Sequence, residues 1–492
     1  MPSESGPASV IPDAPEGSAR LGSLAWVPVL MAATLGAKLW LAWRYEGFLT
    51  GDDLEIVEIA ARTALGLRYE PWVLRCLFHP IVLAAPFLRI ASLFGAKDPD
   101  VFTWAAAIPT ALFSTASIAL TAALALRFAL SRRAAAAAAF FQAFAWMPLA
   151  YGASPFPRPI STSLLLGAFL LATSPRPGLA RPLAAGLLAG AAFAVRWSEG
   201  ILLLPLLAAP LLLRSPAPPR PSARAAAIAG GFAAGSFLCV GVTDWVTWGR
   251  PFESLWQYFK IMFLERPDVD NQPFWEYPYT ILHWAGPILL LLLLPAWKER
   301  RARLPIAFFA GIVVLMSLFS HKEWRYLQAA IPFLAIAAGA GWERLWTGRL
   351  RALAVAAMLL AAAHGIERTV NLLSNRSSAG LAAARYLRSL DPKPRNLAFL
   401  QLWAWGGRLY LGNDVEIREI EYSRPVRPEA IRRDAAEADA VGVFALLLDD
   451  AARRELEALG FREIARFRKR KSYECVVFVR GSFAAPRPPP RS

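Results

Sequence analysis

Cysteine and histidine are scarce, with three and four in 492 residues. Cys76, Cys239 and Cys475 lie in unrelated segments, so neither a disulfide framework nor a CxxC metal site is available. His79, His283, His321 and His364 show no HExxH or similar spacing, which excludes the usual structural zinc patterns. Charge is the second shortage: 18% of residues are Asp, Glu, Lys or Arg against 56% hydrophobic, and the mean hydropathy is +0.38. A single water-soluble globular domain is excluded. A basic n-region followed by a small-residue cleavage site is also lacking; residues 1–23, rich in Pro, Ser, Gly and Ala, read as a disordered lead and not a signal peptide.

The charges are unevenly shared. Residues 374–492, about a quarter of the chain, hold 37 of the 90 charged residues. The chain therefore divides into a membrane body (24–373) and a tail of soluble composition (374–483), ending in a Pro- and Arg-rich stretch, 484–492, read as disordered. The net charge of +16 does not argue for nucleic acid. Many cations sit in short spacers between apolar runs, at Arg127–Arg133, Arg214–Arg224 and Lys298–Arg303, where the positive-inside bias is cause enough.

Twelve apolar runs are drawn: 24–43, 74–95, 103–126, 134–150, 161–173, 182–196, 199–213, 224–243, 279–296, 304–320, 326–342 and 351–366. The expected architecture is a polytopic α-helical membrane protein of about 11 to 12 transmembrane helices with a small C-terminal α/β extramembrane domain. Basic loops at 214–224, 298–303 and 343–351 read as cytoplasmic, which puts 244–278, 321–325 and the tail outside. The acidic segment 44–73 should also lie outside, yet the two walks disagree by one crossing, so one run between 74 and 213 is not a full span or a broken pair counts as one. In the tail, strands are expected at 396–400, 415–422, 440–446 and 473–480, with helices near 428–438 and 450–459. GLLAG (186–190) and GFAAG (231–235) are small-xxx-small patterns that suit close helix packing.

Three polar constellations interrupt this apolar body. The first is Gly51-Asp52-Asp53-Leu54-Glu55, just after the first run. Adjacent carboxylates at a membrane surface can accept a proton from a sugar hydroxyl or hold a divalent cation, although Asp at a helix start is also favoured by capping and dipole. The second is Glu70-Pro71-Trp72 with Arg75, ahead of His79-Pro80. The Pro and Trp suit a helix start and an interfacial belt, whereas a guanidinium facing a membrane needs a carboxylate, a phosphate or water. The third is Ser320-His321-Lys322-Glu323-Trp324-Arg325-Tyr326, a compact anion site placed where a cationic cluster violates the charge bias. Arg158, Arg196 and Glu199 also break apolar surroundings. Asp244-Trp245 opens a loop containing Trp248, Trp256, Tyr258, Trp275 and Tyr277, whose rings could stack on sugars or simply sit in the interface.

The order of an acidic pair after the first span, Glu70 to Arg75 ahead of His79-Pro80, an Asp-Trp with Gly249-Arg250, and above all HKEWRY (321–326) resembles the GT-C glycosyltransferases. Within them it is similar to the lipid-linked mannosyltransferases of the glycosylphosphatidylinositol and dolichol-oligosaccharide type, over roughly residues 40–345. HKEWRY is close to that family's HKE-aromatic/hydrophobic-Arg-aromatic signature. Thr50-Gly51-Asp52-Asp53 departs from its usual His-Pro-Asp-Glu, losing a histidine and shortening one acid.

The resemblance implies an inverting enzyme that moves a hexose, above all mannose, from a polyprenyl-phosphate-linked sugar to a glycan or glycolipid acceptor at the outer face of the membrane. Asp52 or Asp53 would be the base. His321, Lys322, Arg325, Tyr326 and Arg75 would hold the donor phosphate, and Glu70, Trp72, His79, Arg158, Arg196, Asp244 and Glu323 would contact substrate. No cofactor is required, because the leaving phosphate departs as an anion and protein cations can offset its charge; a divalent cation is possible but not expected. Membrane lipid is the expected surrounding, with nucleic acid not a partner. High Ala and Arg content suggests a bacterial inner membrane. A polytopic transporter is the rival from another class, since intramembrane ionisable residues also mark transport pathways, although no paired broken repeat is found. A protein O-mannosyltransferase or aminoarabinose-type transferase on the same scaffold is the rival among enzymes.

Overall fold

The computed structural model describes residues 24–212, 220–265 and 272–481; the expected disordered lead and tail lie outside the described residues. The apolar runs become helices with small shifts at their ends: α1 (Val27–Arg44), α3 (His79–Leu93), α4 (Pro99–Arg127), α5 (Arg132–Phe144), α6 (Trp146–Tyr151), α7 (Pro157–Ala172), α8 (Ala180–Val195), α9 (Trp197–Leu212), α10 (Pro221–Trp248), α11 (Arg303–Ser317), α12 (Ile331–Thr347) and α13 (Arg351–Ser374). The run at 279–296 is a broken series of short helices. Among the described residues three helices are long and apolar enough to cross a membrane, Pro99–Arg127, Pro221–Trp248 and Arg351–Arg388. The last of these continues past α13 into α14 (Ser378–Arg388). By contrast α3, with 15 residues, rises only about 22 Å against a hydrocarbon core of about 30 Å.

The two small-xxx-small motifs face each other. Gly186 and Gly190 of α8 lie against Gly231 and Gly235 of α10, and a Cβ on any of the four would strike the other helix's backbone. Only hydrogen atoms at these positions let the backbones approach so closely.

The helix α2 (Gly51–Leu65) is not a span. Its start is a capping box: Thr50 Oγ1 accepts from Asp52 N–H at 3.2 Å, while Asp53 Oδ1 accepts from Thr50 N–H at 2.8 Å. Gly66, at φ +73°, ends it in the left-handed conformation that a side chain would resist.

The tail forms an α/β layer. Among the described residues its sheet has five strands, β1 (Asn396–Leu400), β2 (Glu416–Ile420), β3 (Ala440–Phe444), β4 (Phe461–Phe467) and β5 (Cys475–Arg480), ordered β2-β1-β3-β5-β4. The first three are parallel neighbours and the last two join antiparallel. The helices α15 (Gly407–Leu411), α16 (Pro428–Asp434) and α17 (Asp450–Ala458) pack beside it. Strand β4 is the one strand missing from the sequence reading, which also lacks the helices α14 and α15.

This layer does not hang free. Leu54, Val57 and Ala60 of α2 share one continuous apolar core with Phe399, Trp405 and Val477 of the tail, each large buried side chain contributing on the order of 2 kcal/mol. Ser377 locks the loop ahead of α2, its N–H donating to Phe48 O at 3.0 Å and its Oγ accepting from Phe48 N–H at 2.9 Å.

The helix α4 gives the molecule two ends. At its start Asp100 accepts a 2.6 Å hydrogen bond from Tyr410 of the tail. About 40 Å further on, the loop after it meets the basic loops: Arg301 donates to Ala129 O at 2.8 Å and Ser131 bonds Glu343.

Candidate active site

Asp52 sits in the first turn of α2, where the helix dipole favours an anion. Three guanidiniums converge on it. Arg196 Nη2 lies 3.2 Å and Arg325 Nη2 3.3 Å from Oδ2, and Arg75 Nη2 pairs with Oδ1. Burial alone would push this carboxyl up, but Arg75, Arg196 and Arg325 overcome it and hold Asp52 well below the ordinary carboxylate range.

The chain brings these residues together from four places. Arg75 comes from the loop ahead of α3, and Arg196 from the extended residue (φ −156°) between α8 and α9. Arg325 comes from a tight 3₁₀ turn, Trp324–Ala330, whose residues 325 and 326 line the same cavity as His321, three positions ahead of the turn. Arg158 enters from the first turn of α7, its guanidinium 4.1 Å from the Tyr326 ring centroid, a cation–π distance.

Together they line a cavity of about 440 Å³, within the range of small-ligand sites. Among the described residues its wall carries four arginines, Arg75, Arg158, Arg196 and Arg325, and the imidazole of His321, against the single carboxylate Asp52. The balancing acids stand behind the wall: Glu55 is 2.6 Å from Arg75, Glu199 is 3.0 Å from Arg158, and Glu323 pairs with Arg325. Trp72, 65% exposed, and Tyr258 add aromatic faces.

Other residues singled out from sequence lie elsewhere. Asp53 is buried, and both its carboxylate oxygens are taken by the backbone N–H groups of Leu49 and Thr50 at 2.8 Å, so its work is to cap α2. Lys322 is turned from the cavity and donates to Gln272 O at 2.9 Å and Phe319 O at 2.5 Å. Glu323 bridges Arg325 and His321, the latter at 3.5 Å. Burial raises the Glu323 carboxyl, but His321 and Arg325 bring it below its usual value. Glu70 is exposed and outside the cavity wall. His79 is buried against a separate small cavity of about 50 Å³ behind Asp52 and Arg75. Asp244 is used locally, accepting from Ser254 N–H at 2.9 Å and Ser254 Oγ at 2.6 Å.

Glu55, Glu199 and Tyr258 were not chosen as site residues from sequence. Glu55 carried a signal: it lies three positions after Asp52 and so shares its helix face. Glu199 lies three after Arg196 yet pairs with Arg158, 41 positions away, which spacing does not reveal. Among the described residues no three His, Cys, Asp or Glu side chains converge as metal ligands.

The model of the Alg9-like mannosyltransferase family matches residues 56–400. The chain belongs to this family. It is thus a GT-C glycosyltransferase, a multi-pass membrane enzyme, and the transporter reading falls away. The Alg9-like match takes in 321–326 and begins just after Asp52, where the local sequence leaves the family pattern. It ends with β1, so most of the sheet lies beyond it. Among solved structures, ArnT from Cupriavidus metallidurans in the apo state is similar at 16% identity and TM-score 0.64, with 92% of this chain and 98% of that chain covered. The same protein bound to undecaprenyl phosphate gives 15% identity and TM-score 0.62 over the same shares. At these identities the likeness is one of fold, and it extends into the C-terminal layer that the family model leaves out. No curated protein matches the chain in sequence.

Proposed function

We propose that this chain moves a hexose, mannose in the first instance, from a polyprenyl-phosphate-linked sugar to a lipid-linked glycan or other extracytoplasmic acceptor, inverting the anomeric carbon. The observation that carries the reading is the single cavity in which Asp52 stands among Arg196, Arg325, Arg158 and His321. An inverting transfer needs a base on the acceptor hydroxyl and cations on the opposite partner of the reacting carbon. Asp52 is the wall's one carboxylate among the described residues; the guanidiniums suit a phosphodiester, which they can bind in fork geometry. Trp72 and Tyr258 fit as faces for sugar rings. The undecaprenyl phosphate bound by the structurally similar ArnT supports a polyprenyl phosphate as the lipid class.

In the step itself the acceptor oxygen bonds to the anomeric carbon as its proton passes to Asp52. The carbon–oxygen bond to phosphate breaks with both electrons going to the phosphate oxygen. No general acid is needed, since the leaving group is already stable as an anion. Residence in a bacterial inner membrane, with the cavity at the outer face, agrees with the clustering of basic loops at the far end of α4.

The test is consumption of polyprenyl-phosphate-mannose by purified protein in detergent, with the product anomer read by NMR. Transfer with inversion is expected; retention of configuration, or no consumption of any polyprenyl-phosphate sugar, sinks the reading.

A further inference from the structure

Arg196 differs from the other guanidiniums of the cavity. Arg75 has Glu55 as a second acid at 2.6 Å; Arg325 has Glu323 and also donates to Thr50 Oγ1 at 3.3 Å; Arg158 is held by Glu199 at 3.0 Å and by Ser198 Oγ at 3.1 Å. Among the described residues the one carboxylate partner of Arg196 is Asp52, and its one hydrogen bond from the side chain goes there. Its side chain, 17% exposed, stands on the cavity wall with the guanidinium 5.9 Å from the Tyr326 ring centroid.

The proposed transfer moves charge across this cavity. Before it, Asp52 carries one negative charge and the donor phosphodiester one. Afterwards Asp52 has taken the acceptor's proton and is neutral, while the released polyprenyl monophosphate carries two. One unit of negative charge has left the carboxylate and arisen on the phosphate. A cation bound to Asp52 alone would oppose that movement, because it stabilises the base before reaction and nothing after. One that both partners can reach follows the charge. Arg75 and Arg325 are each tied back by a second carboxylate, so Arg196 is the guanidinium freest to change partner.

Resting on that reading, we propose that Arg196 is an exchange cation: it holds Asp52 in the donor-free enzyme and passes to the departing phosphate as Asp52 takes the proton, coupling the two halves of the reaction. Donor binding then precedes activation of the base, because the phosphate is what draws Arg196 away.

Three cations face Asp52, Arg75 from the loop ahead of α3, Arg196 between α8 and α9, and Arg325 from the 3₁₀ turn. The acids near them are Glu55 on the same helix, Glu199, which is paired to Arg158 and also within electrostatic reach of Arg196, Glu323 beyond Arg325, and Asp53, whose oxygens are occupied by backbone N–H groups. Loss of one cation should raise the pH at which the base becomes protonated.

The experiment compares wild type with Arg196→Gln and Arg196→Lys, in detergent with polyprenyl-phosphate-mannose as donor and undecaprenyl phosphate as product-like inhibitor. For Arg196→Gln, kcat should fall about 100-fold. The acid limb of the pH profile should move up by about one unit, and inhibition by undecaprenyl phosphate should weaken more than the donor KM rises. Arg196→Lys, which keeps the charge but not the fork, should recover part of the rate. A Gln protein with the wild-type acid limb and wild-type product inhibition overturns the exchange role whatever its kcat. If the Gln protein does not purify as a folded species, the Lys protein decides: equality with wild type in both rate and product inhibition overturns the proposal. A wild type that consumes no polyprenyl-phosphate sugar defeats the transferase reading itself, whereas an active wild type with an unaltered Arg196→Gln profile defeats the exchange alone.

Discussion

Glu58, on the α2 helix that presents Asp52, accepts hydrogen bonds from the backbone N–H groups of Arg408 at 2.5 Å and Leu409 at 3.4 Å in the C-terminal layer. The carboxyl is buried, and the burial, only partly offset by those N–H groups and by Arg408, lifts its pKa from 4.5 to about 7. The tail is therefore fastened to the helix that carries Asp52 through a group that titrates near neutrality.

The sign of the pH effect follows from linkage. A carboxyl raised on folding holds its proton more tightly in the folded state, so its contribution is full below about pH 4.5 and is lost as the pH rises through about 7. Thermal unfolding in detergent should show lower stability at pH 8 than at pH 5.5. Glu58→Gln should flatten that difference, and an unchanged pH dependence in the variant would assign the effect to other groups.

Asp52 and Asp53 should separate cleanly on substitution. Asp52→Asn is expected to lower kcat about 100- to 10,000-fold with the protein still folded. Asp53→Asn removes an acceptor from the capping box and should cost about 1 kcal/mol of stability, while kcat falls less than tenfold. Reversed effects in a paired activity and melting measurement would transfer the base role to Asp53.

Arg325 and Lys322 give a second contrast within one short motif. Arg325→Gln takes a cation from the cavity wall and should raise the donor KM and lower kcat together, by at least tenfold in kcat/KM. Lys322→Gln removes a clamp on the Phe319 and Gln272 carbonyls, so its effect should be on melting temperature, with kcat/KM within about threefold of wild type. Steady-state kinetics on both proteins checks this; a larger kinetic loss in the Lys322 variant would place Lys322 on the substrate.

Gly231→Val should disrupt the contact between α8 and α10, because its side chain would enter the backbone of α8 at Leu183 and Gly186. A destabilisation of about 1 to 3 kcal/mol or more is expected, with loss of activity, since Arg196 follows the last residue of α8. Gly230→Val, whose position has open space around it, is the control and should melt close to wild type.

Much of this architecture could be read from the chain because burial leaves periodic marks. The apolar runs and four of the tail strands depend on local patterns that neighbours hardly alter. The pattern does not reveal strand β4 although Phe461, Ala465 and Phe467 are its buried positions: the irregularity between Glu463 and Ala465 breaks strict alternation, and the Arg and Glu residues continue the composition of α17. In the site, sequence offered Asp52 and Asp53 as equals. What distinguishes them is the loop backbone at Leu49 and Thr50, a matter of geometry. HKEWRY likewise does not say which side chains a 3₁₀ turn will aim at the cavity. The docking of the tail on α2 left no local mark at all, for it is written in contacts between distant segments.

Those distances along the chain bear on how the protein is made. Thr50 and Arg325, in contact, are 275 positions apart, and Glu58 and Arg408 are 350 apart. At about 5 to 20 residues per second, α2 emerges from the ribosome roughly 20 to 70 seconds before the segment that anchors it. A nascent chain meets Arg75 23 positions after Asp52 and Arg196 144 positions after it, while α2 is still a helix without its seat. Every residue of the cavity wall has been made by Tyr326, but the helix that carries Asp52 gains its seat only once Arg408 and Leu409 follow, so the wall is assembled before the support beneath it.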